Sequence, residues 1–502
     1  VATKLLFKGA LCSESGAPGI SHKRADRVQG ASVTGSAVTV SGLTLVEMSG
    51  SPFCSDPVET AITVSGTVSV NLWGSESATT TNARFRLDLH VYRAGAQLAS
   101  FFSARMAAEL TTTNAVRTFT GTPTSTNLQV GDRIVVRVYA EENTSGTAMG
   151  TGTVTHRYNG AAAADGDSFI SLTETLRLTK IRTVKSSFGD YTTLTAWEAG
   201  EQRDLTNLGP ALCEIADNIN DVTAVTIDGW TTTATDYIRV YTLAANRHAG
   251  VYDASKYKLD VNTTGVSSLV NMESYTRIEG LQVAQRHATG SQAIAVGYAG
   301  AGDVRIESCL VPQANGANGH GILVTGGAVL VRNCVVYGCQ VIGIGQLTSV
   351  AAPALTLQNC TVAKCDTGVY VGDSTLIATN VYTGGNTTND YANAGTLTCT
   401  TCMHSSSATV TGSTGNVAHS TANFTNVTAG SEDYHLVTGS ALIGQGTDLS
   451  GSFTVDIDGQ TRAAPWDIGA DEVLTAAQDT PELYGRPGGL SGQRQMTQLL
   501  SF

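Results

Sequence analysis

Glu279 and Glu307 hold matching positions in two similar stretches, "TRIEG" and "VRIES". If these are stacked strands with Ile278 and Ile306 inward, both carboxyls point outward, one above the other. Arg277 and Arg305 flank them, and Arg332 comes next in the column. Two carboxyls about 5–5.5 Å apart are the acid and nucleophile of a retaining glycosidase. Like charges that close also raise one pKa, as a general acid needs. The same placement describes a solvated ladder whose arginines offset the repulsion. We take the ladder reading and assign no catalytic residue.

The cysteines pose a similar choice. Cys309, Cys334 and Cys360 recur at one position of three successive stretches, and Cys339 and Cys365 at another. Stacked in register they face the interior, where Cys behaves as a small hydrophobe. A spacing of about 4.8 Å falls within disulfide range, but in-register neighbours point the same way, so a reduced ladder is expected. "CTTC" at 399–402 is a lone Cys-x-x-Cys. His404 follows too closely to complete a tetrahedral zinc set, so it reads as a thiol pair in a turn.

"DIDG" at 456–459 and "DIGADE" at 467–472 offer oxygens, but not at the spacing of an EF-hand loop. Asp458-Gly459 reads as a turn. Asp467 is expected to pair with Arg462 or to cap backbone N–H groups in a C-terminal lid. His320, between glycines in "NGHGILV", reads as an exposed turn histidine. No metal, no cofactor and no ligand-binding residue is assigned.

The elements that position these residues follow from two periodicities. Stretches such as "ARFRLDLHVYR" alternate with period 2, with Phe85, Leu87, Leu89 and Val91 on one face. Gly/Ser/Thr/Asn turns separate such strands over residues 31–178. The pattern predicts an antiparallel sandwich of jelly-roll type. Residues 1–30 read as an arm, with "TKLLFKG" able to form one strand.

Over residues 276–383 the chain repeats itself, and a solenoid is read over 186–475. "TRIEGLQV", "VRIESCLV", "VLVRNCVV", "LTLQNCTV" and "LIATNVYT" align on Ile278, Ile306, Val331, Leu357 and Ala378, at spacings of 28, 25, 26 and 21. Two positions on stand Gly280, Ser308, Asn333, Asn359 and Asn380, turn formers of which Gly and Asn tolerate left-handed backbone. A second strand echoes the first in "QAIAVGY", "HGILVTG", "IGIGQLT" and "TGVYVGD". This period, with short strands, predicts a parallel β-helix, about ten coils and roughly 40–50 Å long. Thr195 and Glu198 predict a capping box opening a helix over 195–203, with Leu194 as staple, Trp197 on its buried face and the whole capping the first coil. Residues 476–502 read as a tail docked through "MTQLLSF".

The chain of 502 residues carries net charge −12 and only 14% charged residues. Polybasic runs are absent, which argues against a nucleic-acid partner. No apolar run is long enough to span a bilayer, and the start lacks a signal-peptide h-region. Cytoplasmic synthesis, and hence thiols, is expected.

"GDYTTLTAWE" together with "DIDGQTRAAPWDIGADE" resembles bacterial and phage right-handed parallel β-helix proteins over roughly residues 186–473. "VSGTVSVNLWGSESATTTNARFRLDLHVYR", "LQVGDRIVVRVYAEE" and "YNGAAAADGDSFISLTETL" are similar to N-terminal domains of tailed-phage virion proteins. The resemblance implies a virion structural protein: a tail spike or fibre, or a capsid surface protein. It further implies other virion proteins as partners, a homotrimer, and contact with host-surface polysaccharide. The glycosylation sequon in "ENTSG" at 142–146 carries no weight in such a setting. The alternative is an enzymatic tail spike that cleaves host polysaccharide. Few aromatics line 270–385 (Tyr275, Tyr298, Tyr337, Tyr370 and Tyr382), which tells against a sugar-stacking groove, so a non-enzyme is expected. A secreted adhesin or pectate-lyase-like enzyme fits less well without a signal sequence.

Overall fold

The computed structural model describes residues 3–12, 23–26, 33–49, 51–143, 147–289, 291–297, 302–314, 319–347, 354–405 and 413–473. The expected tail over 476–502 lies outside them, as do Tyr298 and most of the sequon. The described residues divide into two compact units, one ending at Leu178 and one beginning at Thr179.

In the first unit twelve strands join in one hydrogen-bonded sheet. Their pairings are antiparallel, except that Lys23–Asp26 runs parallel to Phe53–Ser55. Strand Ala83–Arg93 buries Phe85, Leu87, Leu89 and Val91 as its alternation requires. Asp88 on its other face is buried as well. Arg86 holds both of its oxygens at 3.1 Å, and the Ser103 hydroxyl donates to it at 2.5 Å. Charge pairing therefore overrides the polar-out rule there. The residues read as an arm also belong to the sheet. Strand Thr3–Leu11 pairs with Phe169–Leu172 and with Lys23–Asp26. Its Leu5 and Phe7 are fully buried, and Phe7 stacks on Phe53 with centroids 4.5 Å apart. Burying each such side chain contributes about 1.5–3 kcal/mol, enough to draw this segment into the core.

The second unit is a right-handed parallel solenoid. Nine strands, from Lys180–Val184 to Thr396–Thr400, stack in its longest sheet. The observed register pairs Ile278 with Ile306, Val331, Leu357 and Ala378 in turn, as the repeat alignment requires. Gly280, Ser308, Asn333, Asn359 and Asn380 all adopt positive φ, between 49° and 70°. Each turns the chain at the same corner. The echo strands form a seven-stranded sheet from Val225–Ile227 to Asn389–Asn393.

The ends of the solenoid differ from the expectation. Strand Lys180–Val184 precedes the helix, so stacking starts earlier than 186. The helix spans Leu194–Glu201, and its N-cap is Thr193, whose hydroxyl accepts from Ala196 N at 3.1 Å. Thr195 instead donates to Ala224 O, and Glu198 accepts from the Trp230 indole N–H, so there is no capping box. Trp197 is buried as expected and stacks on Trp230 with centroids 5.5 Å apart. Parallel pairing stops at Ser413–Asn416. Strands Phe424–Asn426 and Asp433–Leu436 then form an antiparallel pair, and the chain returns along the side of the stack.

In the first unit His156 is fully buried among the rings of Phe7, Phe53, Phe85 and Tyr158, at 5.3–6.0 Å. Neither ring nitrogen has a hydrogen-bond partner, and burial lowers its pKa to about 3. The unfolded chain then binds a proton that the folded chain refuses, so stability rises with pH across this range. His156 stability is present above about pH 6.5 and drains away as pH falls towards 3. His156→Phe is expected to flatten this part of the pH dependence, measured by thermal unfolding of the two proteins side by side.

Candidate functional site

The stacked carboxylates are where the register puts them, Glu279 directly beside Glu307. Each has its own arginine. Arg239 clamps Glu279 through Nε and Nη2 at 2.8 and 2.5 Å, and Arg332 holds Glu307 at 2.6 Å. Arg277 and Arg305 do not serve them; both reach Asp303, at 3.0 and 2.8 Å. The Arg332 guanidinium also lies 4.5 Å over the Phe453 ring, which the returning chain supplies. Both carboxylates are thus held in ion pairs along one face of the stack.

All ten cysteines are buried and none is in a disulfide. The first column repeats one geometry. Cys309, Cys334 and Cys360 donate to a carbonyl one coil earlier, on Ile278, Ile306 and Val331, at 3.5–3.6 Å. Each also donates to the carbonyl two residues before it, at 3.2–3.4 Å. Burial raises the Cys334 thiol well above its ordinary value. Cys402 extends this column, donating to Ala378 O at 3.4 Å, so "CTTC" spans a corner rather than standing alone. His320 is not an exposed turn residue. It is 7% exposed, and burial lowers its pKa.

The least expected feature is the returning chain. Residues 447–472 form a strap along the asparagine corner of the coils. Asn333, Asn359 and Asn380 donate to strap carbonyls of Val455, Asp467 and Thr447, at 2.7, 3.3 and 2.8 Å. Asn359 gives Gly469 a second such bond at 3.3 Å. Arg462 is buried and donates to Asn333 Oδ1, Gly469 O and Ala470 O at 3.2, 3.0 and 2.7 Å. Its carboxylate partner is Glu472 at 3.1 Å, not Asp467. Asp467 takes the other role expected of it and accepts from the backbone N–H groups of Gly444 and Val473. Asp458-Gly459 makes the expected turn, with Gly459 at φ 90°.

Beside this turn, groups distant in sequence meet. His435 Nδ1 lies 2.6 Å from Asp433 Oδ1, and Nε2 lies 3.5 Å from Asp458 Oδ2. One donor atom each of His435, Asp458 and Asp471 lies within 4.8 Å of the others. Burial works against the imidazolium, but the bonds to Asp433 and Asp458 push His435 up to about 11. Burial pushes the Asp471 carboxyl up to about 7. Burial also acts on Asp458, yet His435 holds it at about 2. No motif joins these residues, because they come from three separate segments.

A second acidic group surrounds Trp230. Glu198 accepts its indole N–H at 2.9 Å, and Glu273 accepts its backbone N–H at 2.7 Å. Burial pushes Glu198 up to about 7 and raises Glu273.

No family model and no curated protein matches the chain. Among solved structures, pectate lyase Pel9A is 11% identical, over 59% of this chain and 96% of its own, with a TM-score of 0.32. The pectin methylesterase from Aspergillus niger is 13% identical, over 54% and 97%, with a TM-score of 0.30. A CocE/NonD family hydrolase from Staphylococcus aureus is 11% identical over 34% of this chain, which spans 36% of that hydrolase, with a TM-score of 0.23.

Two outcomes follow from the corner geometry. Asn359→Ala strains a left-handed position and leaves buried partners unmet, so it is expected to destabilise the solenoid by roughly 2–4 kcal/mol. Asn359→Gly restores the backbone freedom and is expected to cost about 1 kcal/mol less. Urea denaturation of the two variants ranks them. Thiol titration of the native protein is expected to find the cysteines unreactive, and all ten to react once it is denatured.

Proposed function

We propose that the protein is a structural and binding component of a tailed-bacteriophage particle, a rigid solenoid that assembles with other virion proteins and meets host-surface glycan. The observation that carries this reading is the Arg239–Glu279 and Arg332–Glu307 pairing. It engages the stacked carboxylates in a ladder that stiffens the face instead of leaving an acid and a nucleophile. The N-terminal stretches that are similar to phage virion domains supply the attachment role. A trimer is the assembly this reading favours. Antibody against residues 3–178 is expected to label purified virions in electron micrographs. Particles that stay unlabelled while the antibody binds the isolated protein would sink the proposal.

One observation favours a second reading, cleavage of host polysaccharide. Glu198 and Glu273 both carry raised pKa values and share Trp230. A carboxyl kept protonated near neutral pH is what a general acid requires. Incubation with host polysaccharide, followed by an assay for new reducing ends or unsaturated sugars, separates the readings. The structural reading expects none. Product formation that Glu198→Gln abolishes, and Glu307→Gln does not, establishes the enzymatic one.

A further inference from the structure

We infer that His435, Asp458 and Asp471 form a site for a divalent transition cation that fastens the strap to the solenoid. The inference is independent of whether the solenoid stands on a phage particle. His435 belongs to strand Asp433–Leu436, Asp458 to the strap turn at 456–460 and Asp471 to the last segment of the strap. A single ion at their meeting point would tie all three together.

Four observations carry it. The first is convergence: the three donor atoms lie within 4.8 Å of one another. The His435 Nε2 to Asp458 Oδ2 distance is 3.5 Å. Two ligands of a tetrahedral ion with bonds of about 2.0–2.1 Å stand roughly 3.4 Å apart. The second is the tautomer. His435 Nδ1 bonds Asp433 at 2.6 Å, which turns Nε2 towards the two aspartates, where a bound ion would displace the Nε2 proton that pairs with Asp458. Metal-bound histidines are oriented by such a carboxylate on the far nitrogen.

The third observation is an orphan. Asp458 Oδ1 is buried without a hydrogen-bond partner, on a side chain only 10% exposed. Oδ2 already receives Gln460 Nε2 at 2.6 Å and faces His435. A proton on Nε2 would therefore serve Oδ2 and still leave Oδ1 unmet. A cation serves both, because carboxylates bind metals through either oxygen or both. The fourth is space. Gly250 sits at φ +72°, and a Cβ there would come within 2.6 Å of His435 Nε2. Any side chain at this position would crowd the Nε2 edge of the imidazole.

Neighbouring groups act as a frame. Asp456 is buried, and its oxygens accept from the N–H groups of Asp458, Gln460 and Glu472, so it fixes the turn that carries Asp458. Asp471 Oδ2 accepts Leu436 N at 2.7 Å, which locks it against the histidine strand. One imidazole nitrogen with two carboxylate oxygens suits Zn2+ or Mn2+. Ca2+ takes six to eight oxygens and has no use for the imidazole.

The test uses the full chain, stripped with chelator and titrated calorimetrically with MnCl2, ZnCl2 and CaCl2 in turn. Mn2+ matters because it has little affinity for thiolates, which the cysteine columns could offer to zinc. One Mn2+ or Zn2+ per chain is expected, with a rise of several degrees in the melting temperature. Asp458→Asn and Asp471→Asn are each expected to weaken binding at least tenfold. Far-ultraviolet circular dichroism checks that the variants fold. If one does not, metal-dependent protection of strap amides in the wild-type protein, read by hydrogen exchange, decides instead. Failure of Mn2+ and Zn2+ to bind, binding of Ca2+ alone, or undiminished binding in both folded variants would each overturn the inference.

Discussion

Parallel strands stacked about 4.8 Å apart place like residues over like residues, coil after coil. Everything else in the solenoid answers to that condition. Apolar side chains meet it without difficulty, and Ile278, Ile306, Val331 and Leu357 form a dry column. Polar ones need a partner with the same repeat. The cysteines find it in carbonyls of the coil before. The asparagines find it in strap carbonyls, and Asn380 also donates to Asn359 at 3.1 Å. The glutamates cannot pair with each other, so each is held by an arginine from another strand.

The strap gives the stack its second dimension. Coil-to-coil hydrogen bonds run along the axis and leave each corner open. Residues 447–472 cross several corners at once and supply what the asparagines lack. Arg462 is the pivot, since one buried guanidinium bonds a coil, the strap backbone and Glu472 together. Removing either partner of a buried pair like this leaves a charge without compensation, at roughly 3–5 kcal/mol. The acidic turn around Asp458 sits at the place where strap, hairpin strand and coil converge.

The repeat was legible in the residues because period, turn formers and apolar positions all agree from 270 to 385. Register, corner conformation and both cysteine columns follow from that agreement. The strap was not legible, because its bonds to the corner asparagines join residues 67 to 129 positions apart and have no periodicity of their own. Hence the sequence leaves Asp467 open between pairing with Arg462 and capping backbone N–H groups; it caps Gly444 and Val473, and Arg462 pairs with Glu472. The N-cap lies two residues before the one expected because Thr193 and Thr195 carry the same chemistry, and only the indole of Trp230 decides what Glu198 does. His435 had no signal at all: alternation marks it as one polar residue in a short strand. The segment at 1–30 reads as an arm for a different reason: the strand that "TKLLFKG" allows finds a partner only far along the chain, at Phe169–Leu172.

The strap also makes the solenoid self-checking. A coil displaced by one residue sends its asparagine to the wrong side and breaks the line of donors. The strap's partners belong to several coils, so it can bond the whole line only where those coils are in register. Docking therefore measures alignment accumulated over many rungs and rewards only the correct one. The strap works as a gauge of the coils it crosses.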